Sequence, residues 1–504
     1  MKSADMRCVI GLDIGTTSTI GILVRLPNEV LTIASRPTSL YSEHPGWAEE
    51  EPEQWWANVC ALTKELLASA GIAPGDVAAI GTTGMLPAVV LLDEDGRLLR
   101  RSIQQSDGRC GQEVNDLRAE LDEPAFLQRC GNGVNQQLVT AKLRWIERHE
   151  PDLFARIRTV FGSYDFVNWR LTGQRRVEQN WALEAGFVDI GRGEIADDLV
   201  ALAHISPEAV PELAASHEVV GGLSAQAATE TGLVRGTPVV AGAADMIASS
   251  LAAGVTQPGQ VLLKFGGAVD ILVATDRILP DPRLYLDYHL VPGLVMPNGC
   301  MATGGSGLNW FARNFAGGEV PRAQESGLSL HQHLDRLAAE KPAGANGLLV
   351  LPYLLGEKTP IHAPQVRGVI NGLTLTHDVG DLWRALLEGY AYAIAHHVAV
   401  LRDIGHEPQS FIASDGGSAS RVWMQIVSDV LQAPVQRLAG HPGSALGAAW
   451  TAAMGTGLAS DWRGIDAFVS HADRIEPIAA HAEIYRQGFA RYLEMSSRAQ
   501  HDPG

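Results

Sequence analysis

The run Cys8-Val-Ile-Gly-Leu-Asp13-Ile14-Gly15-Thr16-Thr17-Ser18-Thr-Ile-Gly-Ile-Leu-Val24 decides the fold class. Residues 8–12 are apolar and β-rich, 13–18 form a polar turn, and 19–24 resume the strand pattern. The arrangement returns midway: Val261-Leu262-Leu263-Lys264-Phe265 leads into Gly266-Gly267-Ala268, and Val269–Val273 follows. Two strands flanking a glycine-centred turn, once early and once midway, point to two related halves, although chance strand–glycine–strand patterns are common. Working outward, Pro52–Ala70 carries apolar residues at helical spacing and stops at Gly71. Ala141–Glu147 continues another helix, Asp381–Asp403 is a long one, and a further helix follows Asp415-Gly416-Gly417-Ser418 as far as Leu431. Strands alternating with helices give an α/β architecture. Gly254-Val-Thr-Gln-Pro-Gly259 is the best break, so the expected domains are 1–253 and 254–504.

Composition narrows the function classes. With 57 acidic against 39 basic residues the net charge is −18, which argues against nonspecific nucleic-acid binding and against an anionic membrane face. A local nest of backbone N–H groups can still bind phosphate in so acidic a chain. Five scattered cysteines without a C-x-x-C pair are neither a disulfide framework nor a zinc site, and they fit a reducing, cytoplasmic compartment. No signal-like block and no long apolar run is expected to target or span a membrane.

Three segments could carry chemistry. The turn at Asp13–Thr17 presents backbone N–H groups and two hydroxyls toward one point, a phosphate-sized nest, with a carboxylate suited to Mg²⁺; an ordinary hairpin with an Asp cap reads equally from these residues. Asp245, after Pro238–Ala244, could accept a proton from a substrate hydroxyl or could cap the helix that follows. Asp415-Gly416-Gly417-Ser418 suits close approach of a nucleotide, or is a plain strand–helix turn. Gly443–Met454 is rich in small residues and permits close backbone or ligand approach. The pairs His331/His333 and His396/His397 are wrongly spaced to bind a metal together on a helix and read as structural or surface residues.

Taken in order, these segments resemble the FGGY family of carbohydrate kinases, in a xylulokinase-like form. Gly368-Val-Ile-Asn-Gly372-Leu373, Asp381-Leu382 and Ala385-Leu-Leu-Glu-Gly389 look like one family signature, and Ala141-Lys-Leu-Arg-Trp-Ile146 like another. Pro45-Gly46-Trp47, Trp55-Trp56 and Leu351-Pro-Tyr-Leu-Leu-Gly-Glu-Lys-Thr-Pro360 are also family-like. The resemblance implies two actin-like (ribonuclease-H-like) domains with an ATP cleft between them. It implies ATP-dependent phosphorylation of a hydroxyl on a small sugar or polyol, with ATP and Mg²⁺, and a homodimer is compatible with it. Asp245 falls on the family's catalytic base and Asp13 on the carboxylate near the metal. Gly15, Thr16 and Thr17 fall in the first phosphate loop, and Gly266 and Gly267 in the second. Gly305, Asn309, Gly416, Gly417 and Ser418 fall on nucleotide contacts.

The chain also departs from the pattern. The second loop usually reads Gly-Thr; Gly266-Gly267-Ala268 lacks the hydroxyl. Met85-Leu86-Pro87 stands where xylulokinases place a Gln-Met-His run, so Pro87 replaces a sugar-contacting histidine. Gln105 and Gln137 stand where aromatic residues are common, and an amide pair offers donors and acceptors to hydroxyls; both could instead bond the backbone. With Asp107 lining or bracing the same pocket, the expected substrate is a ketose, foremost a ketopentose such as xylulose or ribulose. Another polyol, a sugar acid, or a noncatalytic ATP- or sugar-binding role is the alternative.

Overall fold

The structure, a computed structural model, describes residues 7–441 and 443–501. Strands β1 (Cys8–Ile14), β2 (Ser18–Arg25) and β3 (Glu29–Pro37) form an antiparallel meander, and β4 (Val77–Gly84) runs parallel to β1 on its other side. Strands β5 (Val219–Gly222) and β6 (Pro238–Val240) complete the path, giving the order β5-β6-β4-β1-β2-β3. Every residue of β1 is buried, as expected of a strand covered on both faces.

The second sheet holds β7 (Gln260–Phe265), β8 (Val269–Val273), β9 (Tyr285–Tyr288), β10 (Val295–Met301), β11 (Ser410–Ser414), β12 (Val435–Gly440) and β13 (Ser470–Ile475), in the order β9-β10-β8-β7-β11-β12-β13. Here too a hairpin-led meander precedes strands parallel to its first member. The path β3-β2-β1-β4-β6 is matched by β10-β8-β7-β11-β12, so the repetition legible around the two glycine turns is a repetition of topology. Asp13 and Lys264 occupy the same place in the two hairpins, one residue before the end of the first strand.

The helices that matter for the site are α1 (Pro52–Ala70), α2 (Asp245–Ala252), α3 (Gly305–Phe315), α4 (Leu330–Ala339), α5 (Val379–Asp403), α6 (Arg421–Leu431) and α7 (Ser444–Gly455). Pro52 opens α1 and Gly71, at φ 63°, closes it in the left-handed region. Asp378 and Asp381 form a capping box that starts α5.

Helix α7 lies in the chain between β12 and β13 of the second sheet yet packs on β1 and β4 of the first. A Cβ on Gly11 would lie 1.9 Å from the Ala445 carbonyl oxygen, one on Gly81 2.0 Å from that of Ala448, and one on Gly447 2.1 Å from that of Ala248. The small-residue stretch therefore serves backbone-to-backbone packing. The chain break expected at Gly254–Gly259 falls between α2 and β7, but the packed core of the first half includes Ala445, Leu446, Ala449, Ile465 and Phe468.

The faces of the second sheet divide by strand alternation. Val261, Leu263 and Phe265 of β7 point into the core of the second half, whereas Leu262 joins the core shared with the first half. Lys264 shares the face of Leu262. Among the described residues, no helix is long and apolar enough to cross a membrane.

Candidate active site

The face of the second sheet that looks toward the first half is the floor of a small cavity of about 190 Å³. Lys264 on β7, Asp270 and Leu272 on β8, Tyr285 on β9, and Asn298 and Cys300 on β10 line it. These are cross-strand neighbours: Lys264 pairs with Asp270, Asp270 with Cys300, Leu272 with Asn298, and Asn298 with Tyr285. The first half supplies the roof with Leu86, Gln105, Gln137, Glu184, Asp245 and Met246, and Lys358 stands at the side. The Gln137 amide donates to the Gln105 carbonyl oxygen at 3.4 Å. Burial, then the facing Asp287, pushes the Glu184 carboxyl well above the ordinary range, which favours a neutral group able to donate as well as accept. The cavity thus combines amide, carboxyl, phenol and ammonium groups able to donate and accept with the apolar side chains of Leu86, Met246 and Leu272, a lining that suits a polyhydroxylated molecule.

Charge is concentrated where this cavity meets the two hairpin turns. Asp245 opens α2, and its Oδ1 accepts the Met246 N–H at 2.6 Å. Burial raises its pKa above the usual carboxylate range, while the Lys264 ammonium pulls it back. Asp13 is 9% exposed; its Oδ2 accepts the Ser444 hydroxyl at 2.5 Å and its Oδ1 has no hydrogen-bond partner. Burial first, and the neighbouring Asp245 charge second, lift Asp13 to about 7. An orphaned, buried carboxylate oxygen beside a second carboxylate is a fitting ligand for a hard divalent cation.

Across β7, Phe265 opens on a larger cavity of about 520 Å³ within the second half. Gly266, Gly267, Gly305, Asn309, Gly416 and Gly417 form its glycine-rich rim. Gly305 N–H donates to the Gly266 carbonyl at 2.9 Å and Ser306 N–H to that of Gly267 at 3.0 Å. In a trans peptide each C=O points opposite to the following N–H, so the Gly267 and Ala268 N–H groups are directed away from α3. Trp383 and Trp423 back the cavity as fully buried side chains, and the Trp423 ring meets Phe265 edge-on at 4.8 Å. The Trp423 indole N–H is buried without a partner. Glycines that free backbone donors suit a nucleotide.

The residues singled out from sequence fall into three groups. Asp245, Leu86, Gln105 and Gln137 line the small cavity, and Gly266, Gly267, Gly305, Asn309, Gly416 and Gly417 the large one. Met85, Asp107 and Ser418 lie behind these walls instead. Met85 is buried and its sulfur accepts the Thr16 hydroxyl. Both Asp107 oxygens are taken by Arg109 and the Ala48 N–H. Ser418 donates back to the Asp415 carbonyl at 2.7 Å. The third group, Gly15, Thr16 and Thr17, forms the β1–β2 turn, closed by Gly15 N–H to Ser18 C=O at 3.1 Å. His331, read as structural or surface, lines the large cavity with Gln332 and Asp335. Glu184, Lys264, Tyr285, Asn298 and Lys358 were not singled out. Lys264 alone left a legible signal, an ammonium inside an otherwise apolar strand.

Two topologically matched sheets, with a buried carboxylate on the wall of a small polar cavity and a glycine-rimmed cavity across β7, define an actin-like phosphotransferase architecture. Models of the N-terminal and C-terminal domains of the FGGY family of carbohydrate kinases match residues 8–252 and 268–456, and the chain belongs to that family. It is 30% identical over 488 residues to a xylulose kinase of Staphylococcus epidermidis (strain ATCC 12228 / FDA PCI 1200), covering 96% of this chain and 95% of that one. It is 25% identical to a gluconokinase of Bacillus subtilis (strain 168), covering 97% and 95%. The crystal structure of xylulose kinase from Rhodospirillum rubrum superposes with a TM-score of 0.93 at 59% identity, covering 98% of this chain and 99% of that one.

Proposed function

We propose that this ATP-dependent carbohydrate kinase acts on a ketopentose, with xylulose as the first substrate to test, and that Asp245 is its general base. The observation that carries the reading is the placement of Asp245 on the wall of the small polar cavity, acting on Lys264, whose strand leads into the glycine loop of the large one. A hydroxyl held by Gln105, Gln137, Glu184 and Asn298 would lie beside that carboxylate and face the glycine loop. Phosphoryl transfer asks little covalent chemistry of a protein; positioning and charge neutralisation dominate. The Gly267 and Ala268 N–H groups would cradle phosphate oxygens, and the buried amide-lined pocket would exclude competing water. Asp13, with its orphaned Oδ1, would hold Mg²⁺; when bound, the ion neutralises phosphate charge. The five cysteines, all free, fit a cytoplasmic setting.

Coupled ADP release with ATP and Mg²⁺, run against ketopentoses, aldoses, pentitols, glycerol and aldonates with a no-sugar blank, tests the proposal. Xylulose-dependent turnover well above the blank is expected. Lys358 at the cavity side and the similarity to a gluconokinase make aldonates the second class to watch. A flat panel, or a blank rate insensitive to every sugar, would refute the reading.

A further inference from the structure

The large cavity presents a difficulty for a triphosphate: no lysine or arginine is among the residues that line it. The hairpin that leads into it ends in two glycines and an alanine, so the loop offers backbone donors only. The side-chain cation closest to that loop along the strand is Lys264, which lines the small cavity. It precedes Phe265 on β7, and strand alternation turns it to the face opposite Phe265, toward the small cavity and Asp245. It is the topological counterpart of Asp13, so the two equivalent hairpins bring an anion and a cation to the same cleft.

The surroundings of Lys264 are one-sided. Asp270 stands directly opposite on β8, and Asp13, Asp245 and Asp415 also act on it electrostatically, with His441 nearby. Burial works against its charge, yet the carboxylates outweigh that and keep it protonated. It makes no direct ion pair among the described residues, so its three N–H donors are not committed to a carboxylate. A buried, uncommitted ammonium that lines the small cavity beside a proton acceptor, two residues before the glycine loop, is placed for an incoming anion.

We propose that Lys264 is a catalytic residue that contacts the transferring γ-phosphoryl oxygens of ATP and neutralises charge there as the group moves between the two cavities. This rests on the kinase reading above. In the step, the sugar oxygen forms a bond to the γ-phosphorus and its proton passes to Asp245. The bond from that phosphorus to the β–γ bridging oxygen breaks, its electron pair leaving with ADP. Lys264 stays protonated throughout and donates to the oxygens that carry the charge.

The test compares wild type with Lys264→Met and Lys264→Arg. Wild-type turnover of xylulose, or of another sugar in the panel, is the control for the kinase reading; if no sugar is turned over, that reading fails, and nucleotide binding alone decides Lys264. Lys264→Met should bind ADP as wild type does but lose roughly tenfold or more in affinity for the non-hydrolysable ATP analogue AMP-PNP, the usual size of a lost charged hydrogen bond. Its kcat should fall roughly 10²–10³-fold, with Lys264→Arg restoring part of both. Equal AMP-PNP affinity in wild type and Lys264→Met would overturn the proposal. So would a kcat defect that vanishes by pH 9, since Lys264 would then act only by keeping Asp245 ionised amid Asp13, Asp270, Asp415 and His441. Should Lys264→Met not accumulate folded, Lys264→Gln carries the same comparison.

Discussion

Asp13→Asn should make the protein more stable while impairing it as an enzyme. Burial and the adjacent Asp245 raise the Asp13 carboxyl from its ordinary 3.8 to about 7. The folded state therefore holds this proton more tightly than the unfolded chain, and ionising it costs stability as pH rises through that window. About three units at 1.36 kcal/mol each give about 4 kcal/mol. The cost is fully present above pH 8, about half as large at pH 5.5, and gone near pH 4. Asparagine keeps a carbonyl oxygen for the Ser444 hydroxyl, so the hydrogen bond that ties β1 to α7 can survive the substitution. At about 2.1 cal/mol/K per residue, unfolding a chain of this length carries about 1 kcal/mol/K, and the gain corresponds to about 4 °C in Tm. Calorimetry at pH 8.5 and 5.5, in EDTA and without nucleotide, measures it. A variant less stable than wild type at pH 8.5, or an increment independent of pH, would refute the argument that Asp13 is held in an unfavourable charged state.

Asp245→Asn should lower kcat roughly 10²–10⁴-fold, the usual range for a lost general base, with ATP affinity largely intact by fluorescence titration. Because burial raises the Asp245 pKa, the acid limb of wild-type kcat/KM should lie above the ordinary carboxylate range; a limb near pH 4 would remove Asp245 as the ionising group. Gln105→Trp should change the order of sugar preference more than the ATP KM in the same coupled assay, and a change in ATP KM alone would take Gln105 out of the substrate pocket. Gly11→Ala, whose Cβ would fall 1.9 Å from the Ala445 carbonyl oxygen, should cost at least the upper part of the ~1–3 kcal/mol typical of overpacking. Gly133→Ala, with nothing within 4 Å of its Cβ, is the control that should leave Tm unchanged.

Sequence and structure agree best where the information is local. The two glycine turns, α1 with Pro52 and Gly71 at its ends, and α5 each carry their own signal within a few residues. The large cavity's rim was legible for the same reason, because Gly266, Gly267, Gly416 and Gly417 sit in contiguous turns. The floor of the small cavity was not. Tyr285, Asn298 and Cys300 come from two strands whose spacing in the chain says nothing of their shared face until sheet order is known. Asp107, read as lining or bracing the pocket, does not line it: its carboxylate is held behind the wall by Arg109, only two residues away, and by the Ala48 N–H. Lys264 interrupts an apolar strand, but the carboxylates that surround it, Asp13, Asp245, Asp270 and Asp415, are spread along the chain and gather only in the fold.

Helix α7 also sets a schedule. Asp13 and Ser444, which meet where it packs on β1, are 431 positions apart. At ~5–20 residues per second of synthesis, about 20–90 s separate their appearance from the ribosome. Through that interval the glycine-lined face of the first sheet has no cover, and β1 emerges before the helix that will complete its core. The nascent first half must wait as an open, apolar-faced intermediate, and a ribosome stalled between the two sheets would release a fragment unable to close. Cutting the gene near codon 254 would give two pieces that match family models yet need each other, in the same tube, to mature.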